Sequence, residues 1–251
     1  MPIFKRHNPL EQITAPKTYT TPSGSAPAVY VDILQQPHTL IAGTTGSGKS
    51  CAINGIIYTA LYKSPSHARF ILIDPKRTEL VMYRNLPHTI AYTSDPGEAL
   101  QILNNAVAEI DARYDRATAK GLKKSDEADI YIIIDELSDL IFSEPRTAQT
   151  LGKIARIGRA ANVHLIAATQ CPNRKTLSAE FAANCPARLG LRCREKIESR
   201  QIIGNGAAVT LPQYGYAYYQ APQYTTLQLV KIPYYTDNIL LERAQFWEKQ
   251  K

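Results

Sequence analysis

Residues 43–50 read GTTGSGKS, and they constrain the fold more than any other stretch of this chain. They follow the apolar run TLIA and precede CAINGIIYTALY, whose pattern predicts an amphipathic helix. Glycines let the backbone curl so that successive N–H groups point inward, and the start of a helix adds the positive end of its dipole. The stretch therefore predicts a strand, a phosphate-binding loop and a helix. The alternative is a flexible Gly/Ser turn.

The stretch also fits the pattern G-x-x-x-x-G-K-[ST] in the context that this motif requires. Lys49 is predicted to reach the β- and γ-phosphates, and the Ser50 hydroxyl is predicted to hold Mg²⁺. ATP and Mg²⁺ are therefore the predicted cofactors. The predicted nucleotide-binding residues of this stretch are Gly43, Thr44, Thr45, Gly46, Ser47, Gly48, Lys49, Ser50 and Cys51.

Two further strand ends carry polar residues suited to hydrolysis. IYIIIDE, residues 130–136, ends in Asp135, predicted to orient the metal's water shell, and Glu136, predicted to act as general base. VHLIAATQ ends in Gln170, whose amide is predicted to sense the γ-phosphate or the attacking water. The alternatives are an acidic helix N-cap at Asp135 and Glu136, and a Gln170 that only caps its strand.

Strand-like and helix-like runs alternate along most of the chain. VYVDI, TLIA, FILID, IYIIID, VHLIAAT and ARLGLR are short and apolar, as buried parallel strands are, and residues 100–114 have helical spacing. YGYAYY and TTLQLV predict antiparallel edge strands. We expect an extended arm over 1–27, one α/β domain over 28–235 with a mostly parallel, doubly wound sheet, and a terminal helix over 236–251.

The charge and the apolar content of the chain indicate what kind of partner it binds and where in the cell it is expected. Lys plus Arg number 29 against 22 Asp plus Glu, which favours a polyanion such as nucleic acid or an acidic membrane surface; a solvated basic surface is the alternative. No apolar run reaches the roughly 20 residues of a spanning helix, and MPIFKRHNPL is not typical of a signal peptide, so we expect a cytoplasmic protein without membrane insertion. The four cysteines form no CxxC pair, which indicates neither a zinc site nor a disulfide framework.

Five blocks in order resemble the motor domain of the FtsK/SpoIIIE family of DNA translocases. They are PHTLIAGTTGSGKS, FILIDPKRTEL, YIIIDELSDL, IGRAANVHLIAATQ and EKIESRQII, and the resemblance covers roughly residues 28–220. It implies a RecA-like P-loop NTPase fold and a homo-oligomeric ring, typically a hexamer, with ATP between subunits and double-stranded DNA in the pore. It further implies that Arg159 completes a neighbour's ATP site as a finger, that Arg200 lies near the nucleotide and the subunit boundary, and that Lys196 faces DNA phosphate.

The chain departs from the family pattern at two cationic positions. Cys171 stands where an arginine is frequent, and Ala182 stands where a pore-loop lysine is frequent. Arg174 and Lys175 lie close by in sequence and are predicted to replace these DNA contacts. The family's membrane-spanning part and winged-helix module are not recognisable, so we expect a minimal soluble motor of a plasmid, phage or integrative element. A protein-secretion ATPase and a nucleotide-dependent assembly protein are the alternative functions.

Two pairs of charged residues have more than one interpretation or a simple geometric prediction. Asp74 and Lys76 end the predicted second strand, where they either take part in catalysis or, as we favour, only pair with each other. Arg156 and Arg159 are three residues apart and are predicted to share one side of a helix, with Arg156 solvated.

Overall fold

The computed structural model describes residues 20–21, 24–25, 34, 36–173 and 175–249. The predicted arm over 1–27 lies largely outside this range, and the predicted strand VYVDI and Arg174 lie wholly outside it. No helix within the described ranges is both long enough and apolar enough to cross a membrane.

Ten strands and seven α-helices make up the described part of the chain. The strands are β1 Thr20–Thr21, β2 Gly24–Ser25, β3 His38–Ala42, β4 Ala68–Ile73, β5 Thr89–Thr93, β6 Asp129–Ile134, β7 Val163–Thr169, β8 Ala187–Leu191, β9 Tyr216–Gln220 and β10 Gln228–Lys231. The helices are α1 Lys49–Ala60, α2 Pro96–Ala119, α3 Leu137–Ser143, α4 Arg146–Ile157, α5 Ala179–Ala183, α6 Lys196–Ile203 and α7 Asp237–Glu248. Strands β1 and β2 pair with each other, and the other eight form one sheet.

The large sheet has the order β10-β9-β8-β3-β7-β6-β4-β5. All pairs from β8 to β5 are parallel, whereas β9 pairs antiparallel with β8 and with β10. This confirms the predicted α/β class with a mostly parallel sheet and antiparallel strands near the C-terminus. Because β7 lies between β3 and β6, the loops that follow these three strands meet at one edge of the sheet. We call it the carboxyl edge and the opposite one the amino edge.

Helices cover both faces of this sheet, as expected for a doubly wound fold. Alternate residues of a strand point to opposite faces, so Leu40 packs in the core with α2, α3, α4 and α6, while Ile41 packs in the core with α1 and α7. Both side chains are at most 2% exposed. The C-terminal helix is fastened to α1, since the Arg243 guanidinium and the Trp247 indole N–H donate to the Leu61 carbonyl.

One strand of the sheet was missing from the sequence-based prediction. β5 is the outermost strand on one side of the sheet, next to β4, and most of its residues are only partly buried. Its sequence, TIAYT, has neither a continuous apolar run nor a clear polar face. The register with β4 also shifts between Phe70 and Ile71, so this strand is defined by its pairing rather than by its own pattern.

Candidate nucleotide-binding site

The loop that joins β3 to α1 has the shape expected of a phosphate-binding loop. Gly46 and Gly48 have φ angles of 76° and 106°, in the left-handed region that favours glycine. A Cβ atom on Gly48 would lie 2.9 Å from the main chain of Gly215, so the C-terminal part of the chain touches the loop directly. The loop is also tied to the neighbouring strands, because the Thr44 N–H donates to the Arg192 carbonyl at 2.9 Å.

Lys49 lies against the acidic pair that follows β6. Its Nζ atom donates to the Asp135 carbonyl at 2.6 Å and to Asp135 Oδ1 at 3.1 Å, and it lies 3.5 Å from Glu136 Oε2. All three side chains are buried, with Lys49 6% and Glu136 1% exposed. The predicted lysine, metal-orienting aspartate and general base thus come together at one point.

Gln170 connects the loop to the acidic pair, because it follows the strand that lies between them. The Thr45 hydroxyl donates to Gln170 Oε1 at 3.0 Å, and the Gln170 N–H donates to both Glu136 carboxylate oxygens at 3.1 and 3.2 Å. An amide in this position is suited to contact a γ-phosphate or a water beside it. Its assignment as a sensor stays a prediction.

A second lysine reaches the same carboxylate. Lys76 Nζ lies 3.5 Å from Glu136 Oε2 and 3.3 Å from Asp139 Oδ2. The favoured pairing of Lys76 with Asp74 is therefore wrong. Burial acts to lower the pKa of Lys76, but the charges of Glu136 and Asp139 outweigh it and raise that pKa above its usual value. Lys76 thus stays charged beside the predicted general base.

The electrostatic state of Asp135 differs from that of an ordinary ion pair. Burial raises the pKa of Asp135, the charge and hydrogen bond of Lys49 lower it, and the carboxylates of Glu79 and Asp74 raise it again; the net direction is upward. Lys49 alone does not compensate the negative charge gathered here. A divalent cation bound in this place would stabilise the ionised Asp135.

A cleft of about 660 Å³ opens beside the loop. Its second wall comes from the segments around β9 and β10 and from the turn after β4, and none of this wall was predicted from the sequence. Tyr214 and Tyr234 are 73% and 75% exposed at this wall, which leaves their rings available to a nucleobase. The lining residues are Thr44, Thr45, Gly46, Gly48, Lys49, Ser50, Cys51, Glu79, Gln170, Tyr214, Gly215, Lys231, Ile232, Pro233 and Tyr234.

The residues present fit a magnesium nucleotide. A Cβ atom on Gly46 would meet nothing within 4 Å, so the backbone there faces open space that a phosphate can occupy. Mg²⁺ takes oxygen ligands and keeps several waters; Ser50 and Glu79 line the cleft with side-chain oxygens, and the buried Asp135 carboxylate lies behind them at Lys49. In the described part of the chain no group of three or more His, Cys, Asp or Glu is arranged to hold a metal.

Arg159 lies far from this cleft. It is exposed and begins the 3-10 turn Arg159–Ala161, immediately before β7, and is therefore at the amino edge. Helix α4 already ends at Ile157, so the prediction that Arg156 and Arg159 share one helix face is wrong: Gly158 and the left-handed Asn162 form a separate turn. The predicted solvation of Arg156 agrees with its 60% exposed side chain.

The other predicted cationic residues lie outside the cleft lining. Lys196 and Arg200 are exposed on α6, and Lys175 is exposed in the loop before α5. Helix α6 follows β8, so Lys196 and Arg200 lie toward the carboxyl edge. The structure does not bring Arg200 to the phosphate loop of its own chain, and the roles of all three residues stay predictions.

The fold and the site together define a RecA-like P-loop ATPase domain. The model of the FtsK/SpoIIIE family matches residues 17–132. The chain is 40% identical over 188 residues to a DNA translocase FtsK of Caldanaerobacter subterraneus subsp. tengcongensis, an alignment that covers 70% of this chain and 26% of the relative. It is 31% identical over 236 residues to DNA translocase FtsK of Helicobacter pylori, covering 88% of this chain and 28% of the relative. The chain belongs to the FtsK/SpoIIIE family.

Solved structures agree with this fold. The conjugation coupling protein TcpA of pCW3, in a monomer form with ATPγS, superposes with a TM-score of 0.77 at 22% identity, covering 90% of this chain and 68% of that one. The cytoplasmic domain of the type VII secretion ATPase EccC of Thermomonospora curvata gives 0.70 at 22% identity, covering 94% of this chain and 30% of that one. The chain spans about a quarter of the length of the two curated relatives named above.

Proposed function

We propose that this chain is an ATP-hydrolysing motor that moves double-stranded DNA as part of a homo-oligomeric ring. The observation that carries the proposal is the convergence of Lys49, Asp135, Glu136 and Gln170, from two adjacent strand ends and one helix start, on a single glycine loop.

Hydrolysis is favoured over binding alone by the surroundings of Glu136. The carboxylate is buried, receives the Gln170 N–H, and has two lysine ammonium groups at 3.5 Å. These contacts fix its position next to the place where a γ-phosphate and its attacking water would lie. A positioned general base typically contributes about 10²- to 10⁴-fold to a rate. A protein that only assembles upon nucleotide binding has no need of such a group.

The position of Arg159 supports a ring in which subunits share each site. Strand β7 has seven residues and therefore separates Arg159 from the carboxyl edge by roughly 20 Å, far beyond the reach of an arginine side chain. An exposed arginine that cannot reach its own cleft is suited to complete the cleft of an adjoining subunit. A hexamer is the arrangement that the family resemblance implies.

DNA is the favoured substrate over a secreted protein. The sequence relatives at 31–40% identity are named DNA translocases, and the formal net charge of the chain is +7. Lys196 and Lys175 are exposed and available for phosphate contacts, and Arg174 is predicted to join them. A location in the cytoplasm and a role in a plasmid, phage or integrative element stay predictions.

The decisive experiment is an ATPase assay with and without linear double-stranded DNA at several salt concentrations, paired with a mass measurement of the assembly in ATP. We expect DNA to stimulate turnover and the stimulation to fall with salt, because phosphate contacts release counterions. Lys49→Ala should abolish turnover. Turnover that ignores DNA even at low salt would overturn the DNA role, and a purified chain without phosphate release would leave an assembly protein.

The role of Lys196 has its own test in the same assay. Lys196→Ala should weaken DNA stimulation and reduce the salt slope by about one. Lys124→Ala is the matched control, because Lys124 is an exposed lysine in the loop before β6, at the amino edge. An equal effect of both substitutions would show that only net charge matters.

A further inference from the structure

We propose that Glu79 is a positioning residue of the metal site, which holds the Ser50 hydroxyl in the orientation that Mg²⁺ requires. The inference rests on the proposed function, because it assumes that a magnesium nucleotide binds in the cleft. Sequence reasoning gave Glu79 no role.

A hydrogen bond joins the side chains of Ser50 and Glu79. The Ser50 hydroxyl donates to Glu79 Oε1 at 2.7 Å, and Glu79 is half-buried in the cleft lining. A hydroxyl that binds a cation must offer a lone pair to the metal while its proton points elsewhere. With the proton directed at Glu79, the remaining lone pairs of Ser50 are free to face the cleft.

Asp135 is the other carboxylate to consider as an acceptor of the Ser50 proton. Asp135, the predicted metal-orienting carboxylate, is engaged by Lys49 through both its carbonyl and Oδ1. In this arrangement the serine proton goes to the turn after β4 and not to the residue after β6. The negative charge of Glu79 also acts to raise the pKa of Asp135.

Hydrogen bonds to Asp74 hold the main chain at Glu79. Asp74 is fully buried, and its Oδ2 atom accepts the N–H groups of Glu79 at 3.2 Å and Leu80 at 3.0 Å. The Arg77 N–H donates to the Asp74 carbonyl at 3.1 Å, and Arg77 has a φ of 57°, which folds the turn back on itself. Asp74 therefore builds the turn that presents Glu79 to α1, which gives this buried carboxylate a purpose that pairing with Lys76 does not.

The charge of Glu79 predicts opposite effects with and without the metal. Without Mg²⁺, its carboxylate repels the phosphates, so neutralising it should leave nucleotide affinity equal or higher. With Mg²⁺, it orients a ligand of the cation, so the same change should weaken affinity. Residues that orient metal ligands typically change metal affinity 10- to 100-fold. A purely structural role would move both affinities in the same direction.

The test measures binding of a fluorescent ADP to the full chain in Mg²⁺ and in EDTA. The variants are Glu79→Gln and, as a control with the same change of charge, Glu242→Gln, which is exposed on α7. We expect Glu79→Gln to weaken binding about tenfold in Mg²⁺ and not to weaken it in EDTA, while Glu242→Gln changes neither. Equal weakening in both buffers, or no change in either, would overturn the assignment.

A double-mutant cycle keeps the proposal falsifiable if Glu79→Gln perturbs folding. In a Ser50→Ala background the hydroxyl is absent, so adding Glu79→Gln should no longer weaken binding in Mg²⁺. An undiminished tenfold loss in that background would contradict a role through Ser50. Wild-type chain that binds ADP in neither buffer would overturn the proposed function and this assignment with it, an outcome distinct from selective loss in Mg²⁺.

Discussion

The two ends of strand β6 carry an aspartate each, and the two aspartates are in opposite electrostatic states. At the amino edge, Asp129 accepts Lys63 Nζ at 2.8 Å and lies 3.1 Å from His164 Nε2. Burial acts to raise the pKa of Asp129, but these two contacts outweigh it and hold that pKa well below its usual range. At the carboxyl edge, Asp135 keeps a raised pKa in spite of Lys49.

The difference distinguishes a structural carboxylate from one that awaits a ligand. Asp129 has its hydrogen-bonding partners, Lys63 and His164, within the fold, so ionisation is already favourable and nothing further needs to bind. Asp135 shares one buried lysine with Glu136 and has Glu79 and Asp74 nearby, so its ionisation is incompletely compensated. We propose that a bound cation compensates the remaining negative charge.

Removing the arginine of the amino edge tests whether that edge acts only on a neighbour. Arg159→Ala should reduce ring-dependent ATP turnover by about 10³- to 10⁵-fold, the range for arginine fingers, and should spare nucleotide binding to an isolated subunit. Turnover and binding are measured across a protein concentration series. Arg156→Ala is the control, since it removes an exposed arginine three residues earlier; equal losses for both would contradict a specific role of Arg159.

Removing the charge of Glu136 tests the carboxyl edge within one subunit. Glu136→Gln should lower the rate of hydrolysis by about 10²- to 10⁴-fold and retain ATP, because the amide cannot accept a proton from water. Single-turnover phosphate release and a binding assay separate the two effects. Glu180→Gln, at an exposed glutamate on α5, serves as the control. A Glu136→Gln variant that hydrolyses ATP normally would remove this residue from its role.

Neutralising Asp129 tests the structural carboxylate. Asp129→Asn should lower the free energy of unfolding by about 1–3 kcal/mol, since Lys63 and His164 lose a charged acceptor, and should leave nucleotide affinity unchanged. The stabilisation from Asp129 is present above the pKa of the unfolded chain and is lost as the pH falls below about 4. Urea unfolding at pH 3 to 7 should therefore show a flatter pH dependence for the variant. A change in nucleotide affinity would contradict a purely structural role for Asp129.

Neutralising Asp135 should have the smallest effect on folding, with the opposite sign. Because its pKa is raised in the folded chain, ionisation of Asp135 disfavours folding as the pH rises through that pKa. At neutral pH, Asp135→Asn should therefore raise the free energy of unfolding, by about 0.5–2 kcal/mol, the common range for a single stabilising substitution. Magnesium-dependent nucleotide binding should weaken. A destabilised variant at neutral pH would contradict the proposed charge deficit.

The sequence allowed most of the fold and the centre of the site to be predicted, because both are encoded locally. Apolar runs such as IYIII announce buried strands, and GTTGSGKS fixes a loop geometry through its own glycines. The parallel arrangement then places the residue after each strand at a common edge. Lys49, Asp135 and Gln170 needed no further information to be grouped.

What the sequence did not disclose depends on contacts between distant segments. Glu79 and Ser50 are 29 residues apart, and they meet only because Asp74 folds the intervening turn. The tyrosines at 214 and 234 carry no motif, and β5 is defined by its partner strand. The break after Ile157 involves a close approach of Gly158 to the start of β7, where an added Cβ atom would lie 2.6 Å from the Val163 carbonyl oxygen.

The direct approach of Gly48 and Gly215 has a consequence for how this molecule tolerates change. The Gly215 N–H donates to the Ser47 carbonyl at 2.9 Å, and both glycines have φ angles in the left-handed region. Two stretches of main chain, 167 positions apart in sequence, therefore contact each other without a side chain between them. A single added methyl group at position 48 would collide with the main chain of Gly215, whereas the rings of Tyr214 and Tyr234 are exposed to solvent and have room to vary.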